Sequence, residues 1–288
     1  MFIETIKSFV FIALELTLLF MVISFFISLF QGIIPYERIE RKLSGKNRYI
    51  AAFAAIVFAF ITPFCSCSTI PIVVNMLKKK MPFGIVMIFL FSSPVLDPTI
   101  LTIMGVLLGW KVTILYIMIT STLSIIIGFT LEKLGFEKSV KNVVMSGYKE
   151  ENRKFNFKLA ISETISLIKS VLPYLIAGAA IGAVIHGLVP TEFISELFGD
   201  EKWWLIPLAA ILGIPLYIRL SSMIPISQIL IMKGMALGPV MAMMISSAGA
   251  SLPEIVLLRS IFKKELVIMF VLSVVSMSTI SGFIFYFV

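Results

Sequence analysis

Cys65 and Cys67 stand one residue apart in the run TPFCSCSTIP (Thr62–Pro71), and they are the two cysteines of the chain. A single residue between them makes a mutual disulfide strained, so the pair matters as thiols. In a turning backbone this spacing presents two sulfurs to one soft ion. Thiolates select species such as Cu(I), Zn or trivalent arsenic-like centres over hard cations. A tight structural metal site normally has four ligands, so Cys65 and Cys67 suit transient metal or metalloid ligation with easy release. The other reading of a buried cysteine is a small hydrophobe. Against it stands the setting: Ser66 and Ser68 flank Cys67, and the run interrupts the apolar segments AAFAAIVFAFI and IPIVVNML.

Ionisable residues inside apolar segments are few: Glu15, Asp97, His186, Arg219 and Glu254. Burial makes each of them costly in a membrane, so each is a functional candidate with a partner. Arg219 sits in a second interrupted stretch, PLYIRLSSMIP, together with Ser222. Asp97 lies in SSPVLDPT with Ser93, and Glu254 in SAGASLPE with Ser247. One reading pairs Arg219 with a carboxylate and lets Asp97 or Glu254 take up and release protons. The other gives both carboxylates to helix capping. His186, before Gly187 and Pro190, reads as interfacial. The candidate substrate-binding set is therefore Cys65, Ser66, Cys67, Ser68, Ser93, Asp97, Arg219, Ser222, Ser247 and Glu254. No catalytic constellation and no phosphate-binding loop is present, so the chain reads as neither an enzyme nor a nucleotide-driven pump, and no cofactor is expected.

The elements that hold these residues must cross a bilayer. The 288 residues are 59% hydrophobic and 14% charged, far from the balance of a soluble domain. Phe9–Ile34 is too long for the core of a signal peptide and has no small-residue cleavage site after it. Several segments exceed the roughly 20 apolar residues a crossing needs. The net charge of +8 collects in short loops, which argues against nucleic acid as a partner and leaves membrane lipids, a small solute or ion, and a further copy of the chain.

Shifted by about 154 residues, the chain matches itself in order. GIIPYERI (Gly32–Ile39) faces GLVPTEFI (Gly187–Ile194), and SCSTIPI (Ser66–Ile72) faces LSSMIPI (Leu220–Ile226). MPFG (Met81–Gly84) faces MALG (Met235–Gly238), and FSSPVLDPT (Phe91–Thr99) faces ISSAGASLPE (Ile245–Glu254). The loop Pro35–Tyr49 is basic, with Arg38, Arg41, Lys42, Lys46 and Arg48, whereas its counterpart Pro190–Trp203 is acidic. Lys and Arg mark the cytoplasmic side, so the two copies face opposite ways. The basic loops at Lys78–Lys80, Lys133–Lys158 and Arg259–Lys264 join the first on the inside.

These anchors predict an all-α polytopic membrane protein of two inverted-topology repeats. Each has about three crossings, a re-entrant hairpin and a broken helix. Residues 1–134 form the first repeat, 135–158 a cytoplasmic basic linker and 159–288 the second repeat. The first hairpin turns at the cysteines; a single broken crossing is its rival. Pro82–Leu108 then crosses with an interruption and Val112–Leu131 crosses back, while the second copy places its hairpin at Leu205–Met232 and its interrupted span at Leu237–Leu258. Breaks are expected at Thr62–Thr69, Ser92–Pro98, Pro215–Ser222 and Ser246–Pro253. Non-helical backbone at membrane depth needs protein or a water-filled cavity around it, and in inverted-repeat transporters such breaks meet at the substrate site. Ser68 or Thr69, Ser93, Asp97 and Ser222 each precede a proline as helix N-caps do. A helix N-terminus favours an anion or a thiolate.

At TPFCSCSTIP, SSPVLDPT and SAGASLPE the sequence resembles the predicted-permease family that includes YraQ-like proteins and ArsP organoarsenical efflux permeases. The resemblance covers nearly the whole chain, and Cys65 and Cys67 match its P-F-C-S-C-S motif; Asp97 stands where the family form carries Asn. It implies a multi-pass permease of the prokaryotic plasma membrane, and for some relatives export of trivalent organoarsenicals or heavy-metal species. The reading is thus a secondary transporter exporting a soft thiophilic solute. The alternatives are a transporter of a sulfur anion or other small anion, and a membrane thiol–disulfide oxidoreductase cycling Cys65 and Cys67.

Overall fold

The computed structural model describes residues 48–61, 66–78, 81–141, 203–216, 227, 231 and 236–287. Among them the regular elements are helices: α1 Arg48–Ile61, α2 Ser66–Lys78, α3 Phe83–Ser92, α4 Pro98–Leu107 and α5 Trp110–Lys133, then α6 Leu205–Leu216, α7 Leu237–Gly249, α8 Leu252–Ile261 and α9 Lys264–Tyr286. A short 3₁₀ turn at Phe136–Ser139 follows α5.

Helices α5 and α9, of 24 and 23 residues, are long and apolar enough to cross a membrane, reaching about 36 and 34 Å at the helical rise. Each exposes a stripe at every fourth residue, which is the spacing of one helix face. On α5 the stripe is Ile114, Met118, Thr122, Ile126 and Thr130; on α9 it is Ile268, Leu272, Ser276, Ile280 and Ile284. Hydroxyls on these apolar faces turn back onto their own helix. Thr122 Oγ1 donates to Met118 O at 2.7 Å and Ser276 Oγ to Leu272 O at 2.8 Å, which satisfies them where lipid offers no partner. Helices α3 and α7 are different. Every residue of Phe83–Ser92 is buried, and so are nearly all of Gly238–Gly249; a helix apolar on all sides is an interior one.

The elements recur at one spacing. Phe83 and Leu237, Pro98 and Leu252, and Trp110 and Lys264 begin α3 and α7, α4 and α8, and α5 and α9, each pair 154 positions apart. The exposed stripes on α5 and α9 share that offset residue for residue. Two glycine crossings share it as well. A Cβ on Gly128 would meet Gly84 O at 2.8 Å, and a Cβ on Gly238 would meet Gly282 O at 2.6 Å. Only glycine lets α3 lie on α5, and α7 on α9, with backbones this close.

The ends of the helices are set by contacts between them. Arg48, at the start of α1, pairs with Glu132 at the end of α5, Nη2 to Oε2 at 2.8 Å, and Gly84 at the start of α3 lies against Glu132 and Gly128. Just beyond α5, Val140 pairs antiparallel with Phe262, Lys141 N donates to Ile261 O at 3.0 Å and Lys263 N to Ser139 O at 2.8 Å. Arg48, Gly84, Lys133, Lys138, Lys141, Arg259, Lys263 and Lys264 therefore gather at one end. The start of α7 lies against Tyr286, at the far end of α9, and Trp203, just before α6, stacks near Phe283. Trp110, Trp203 and Trp204, all exposed, stand at this opposite end.

Among the described residues two hydrophobic clusters form the core, and each mixes early and late helices. One joins α1, α2 and α3 to α8 and the first half of α9. The other joins α6, α7 and the later half of α9 to α4 and the first half of α5. The helix after each break is thus buried in the core of the other half of the chain. Phe91 and Phe270, stacked with centroids 4.9 Å apart, bridge α3 and α9.

Several expected boundaries move. Pro215 lies inside α6, so the stretch expected to break from Pro215 is still helical there. The break expected from Thr62 to Thr69 ends earlier, with α2 starting at Ser66, and the break expected from Ser246 to Pro253 narrows to Ala250–Ser251. At the last of these, burial of Ser246, Ser247 and Ala250 extends helix past the local turn signals.

Candidate functional site

The first break follows α3. Ser93 caps the C-terminus of that helix, its N–H on Phe89 O at 2.9 Å, and Val95 and Leu96 both donate to Ser92 O. The expected N-cap role of Ser93 is therefore corrected: it closes a helix, because Pro94 has no N–H with which to continue the ladder. Asp97 does open α4. Ile100 N lies 3.4 Å from Asp97 Oδ1, and Pro98 occupies the first helical position, where its missing N–H costs nothing.

The second break follows α7. Ser246 and Ser247 turn their hydroxyls onto Met243 O and Met244 O, both at 3.1 Å. Ser251 opens α8 with a capping box, in which its Oγ accepts from Glu254 N at 3.4 Å and its N–H reaches Glu254 Oε2 at 3.5 Å. Glu254 is fully buried, in the first turn, where the helix dipole favours negative charge. The two segments flanking this break, Leu237–Gly249 and Glu254–Ile261, are bent by 43°.

Three further contacts draw the breaks together. Thr69 Oγ1 lies 3.1 Å from Ser93 Oγ, a buried hydroxyl pair that ties the cysteine-bearing helix α2 to the first break. Tyr116 of α5, fully buried, donates to Val95 O at 3.1 Å and so holds a carbonyl of the first break. Gly249 ends α7 where a Cβ would stand 3.2 Å from Val274 and 3.8 Å from Val95, so one break lies against the other. Helix α2 also packs on α8. The N-termini of α4 and α8 open at these breaks, α2 reaches the first of them through Thr69, and helix starts favour anions and thiolates.

Of the ten candidate residues, Ser93 and Asp97 line one break, and Ser247 and Glu254 line the other. Ser66, Cys67 and Ser68 fall in the first turn of α2. Cys65, Arg219 and Ser222 lie outside the described residues. Among the described residues no three His, Cys, Asp or Glu side chains form a group that holds a metal ion. Asp97 and Glu254 both serve as capping groups, the role given as one of their two readings. Thr69 and Tyr116 tie α2 and α5 to the first break and Gly249 joins the two breaks; the expected N-cap role of Ser68 or Thr69 is corrected, because α2 already starts at Ser66. Gly249 and Thr69 sit in the self-matching stretches SAGAS and SCSTIPI, which are usable signals; Tyr116 carries none, because its partner is 21 residues away.

Known proteins share this architecture's sequence pattern. The family model described as predicted permease (ArsP_1) matches residues 2–287. The UPF0718 protein MJ0584 of Methanocaldococcus jannaschii is 24% identical, over 84% of each chain. The UPF0718 protein YraQ of Escherichia coli is 25% identical, over 82% of this chain and 67% of its own. A protein of Streptococcus mutans named a putative two-component membrane permease complex subunit is 24% identical, over 81% of this chain and 79% of its own. No solved structure matches significantly. With its model matched from residue 2 to residue 287, the chain belongs to the predicted permease family.

Proposed function

We propose that this membrane permease is a secondary transporter that exports a soft, thiophilic solute of the trivalent organoarsenical or heavy-metal class, handled by Cys65 and Cys67 where the two breaks meet. The observation that carries the reading is the Thr69–Ser93 hydroxyl pair, because it joins the helix that holds Cys67 to the first break, which itself lies against the second. Cys67 lies in the first turn of α2, which starts at Ser66.

The mechanism rests on two repeats of opposite orientation. Three pairs of elements share the 154-residue offset, α5 runs towards the basic end, and α9 runs away from it. Helices α1 and α3 both start at the basic end. The chain from α1 to α3 thus leaves the basic end and returns to it, which favours a re-entrant hairpin over a single broken crossing. Rocking of one unit against the other then exposes the junction of the breaks to either side in turn.

The starts of α4 and α8 at adjoining breaks support a second reading, transport of a sulfur anion or other small anion. One experiment separates them. Purified protein in proteoliposomes is offered trivalent arsenicals, soft metal ions and sulfur oxyanions, as wild type and as Cys65→Ser and Cys67→Ser. The thiol reading expects arsenical or metal flux that both substitutions abolish. Oxyanion flux that survives both supports the anion reading, and flux of every transported solute unchanged by either substitution removes the thiols from the site.

A further inference from the structure

The fold collects cations that are far apart in sequence. Pairing of Val140 with Phe262 brings Lys138 and Lys141 beside Arg259, Lys263 and Lys264. Lys141 Nζ donates to Arg259 O at the end of α8. Lys138, Arg259, Lys263 and Lys264 are all exposed. Among the described residues the exposed carboxylates nearby are Glu137 and Glu265, and Glu132 is already paired with Arg48. The patch keeps an excess of positive charge.

An apolar track leads straight into it. Lys264 stands four residues before Ile268 and is itself exposed, so it heads the lipid-facing stripe Ile268, Leu272, Ser276, Ile280 and Ile284. The matching stripe on α5 is headed by Trp110, the position 154 residues earlier, at the opposite end of the molecule. Two equivalent surface tracks thus carry different heads. The tryptophan is a neutral interfacial anchor, which suits either leaflet. The lysine, backed by Lys263 and Lys138, suits a headgroup of net negative charge.

We propose that the basic end holds an anionic phospholipid, its acyl chain along the α9 stripe and its phosphate against Lys264 and Lys263, with Lys138 of the linker closing over it. The occupant is a lipid and not free phosphate, because the cations sit at the head of an apolar track that inorganic phosphate leaves bare. The proposal is independent of the transported solute. It gives the linker after α5 a role in holding the fold together, since with the Val140–Phe262 pairing in place the lipid bridges segments from the two halves of the chain.

The test uses the full chain in a neutral detergent, with retained lipid measured by native mass spectrometry. Phosphatidylglycerol, phosphatidylcholine and inorganic phosphate are added separately, and each series is repeated at high salt. Wild type is expected to retain phosphatidylglycerol over phosphatidylcholine, with the preference reduced by salt and with phosphate neither retained nor competing. Each lysine near a lipid surface is worth about a fivefold change in occupancy, so Lys264→Gln lowers phosphatidylglycerol retention about fivefold. Lys264→Arg restores it, and Lys111→Gln at the tryptophan end leaves it unchanged. Equal retention of the two lipids by wild type overturns the proposal, as does unaltered retention in Lys264→Gln. Competition by inorganic phosphate does so too, by reducing the patch to an adventitious ion site. The wild-type comparison decides the matter even if a lysine variant fails to fold.

Discussion

Gly128 lies against Gly84 so closely that a methyl group on it would stand 2.8 Å from the Gly84 carbonyl oxygen and 2.5 Å from the Ile88 side chain. The crossing recurs 154 residues on, where a Cβ on Gly282 would sit 3.0 Å from Gly238 O and 2.5 Å from Ile206. Gly128→Ala and Gly282→Ala are each expected to destabilise the fold by about 1–3 kcal/mol, the cost of overpacking against atoms that cannot withdraw. Gly84→Ala is expected to be milder, because its nearest obstacle is the flexible Glu132 side chain. Unfolding midpoints of the purified variants, with bound dye or intrinsic fluorescence as the signal, check the ranking.

A buried hydroxyl pair between α2 and the first break implies measurable coupling. Thr69→Val and Ser93→Ala, singly and together, form a double-mutant cycle. A coupling energy of about 0.5–1.5 kcal/mol in stability is expected for the hydrogen bond between them. Strict additivity would detach α2 from the break and weaken the transport reading.

Val140 and Phe262 face each other as a non-hydrogen-bonded antiparallel pair, flanked by the bonds from Lys141 N and Lys263 N. In such a pair the Cα atoms approach to about 4.5 Å, within the range a disulfide spans. Val140→Cys with Phe262→Cys is expected to cross-link under mild oxidant in native membranes, whereas Ser139→Cys with Phe262→Cys is not. Peptide mapping before and after reduction reads the result; cross-linking of both pairs alike would show that this register is not held.

The two ends of the molecule differ in charge and aromatic content, so they should meet different aqueous phases. Single cysteines at Lys138 and at Lys111 are expected to react with an impermeant maleimide from opposite sides of the membrane, Lys138→Cys from the cytoplasmic side, after subtraction of labelling at the native cysteines. Reaction of both from one side would end the inverted-repeat reading. So would same-side labelling at Glu40 and Glu196, two positions outside the described residues.

Much of this arrangement is legible without coordinates. The apolar stretch Val112–Leu131 falls inside α5, the interrupted span from Pro82 to Leu108 resolves into α3 and α4, and Leu237–Leu258 resolves into α7 and α8. Asp97 before Pro98 marks a helix start by chemistry that acts over three residues. Pro215 falls in the last turn of α6, and residues 217–222 of its expected break lie outside the described residues. Ser93 misleads: a serine before proline closes a buried helix as readily as it opens one, and only the chain before it decides which.

Composition and periodicity, properties of neighbouring residues, are enough to read a polytopic membrane protein with broken helices and a 154-residue internal offset. Hydrophobic length, proline and glycine, and loop charge act within a turn or two of helix. Which helices share a core is a different kind of fact. That α8 is buried with α1–α3, that α4 is buried with α6 and α7, and that Val95 meets Gly249 depend on shape complementarity between residues more than a hundred positions apart. Only the folded chain brings those surfaces into contact.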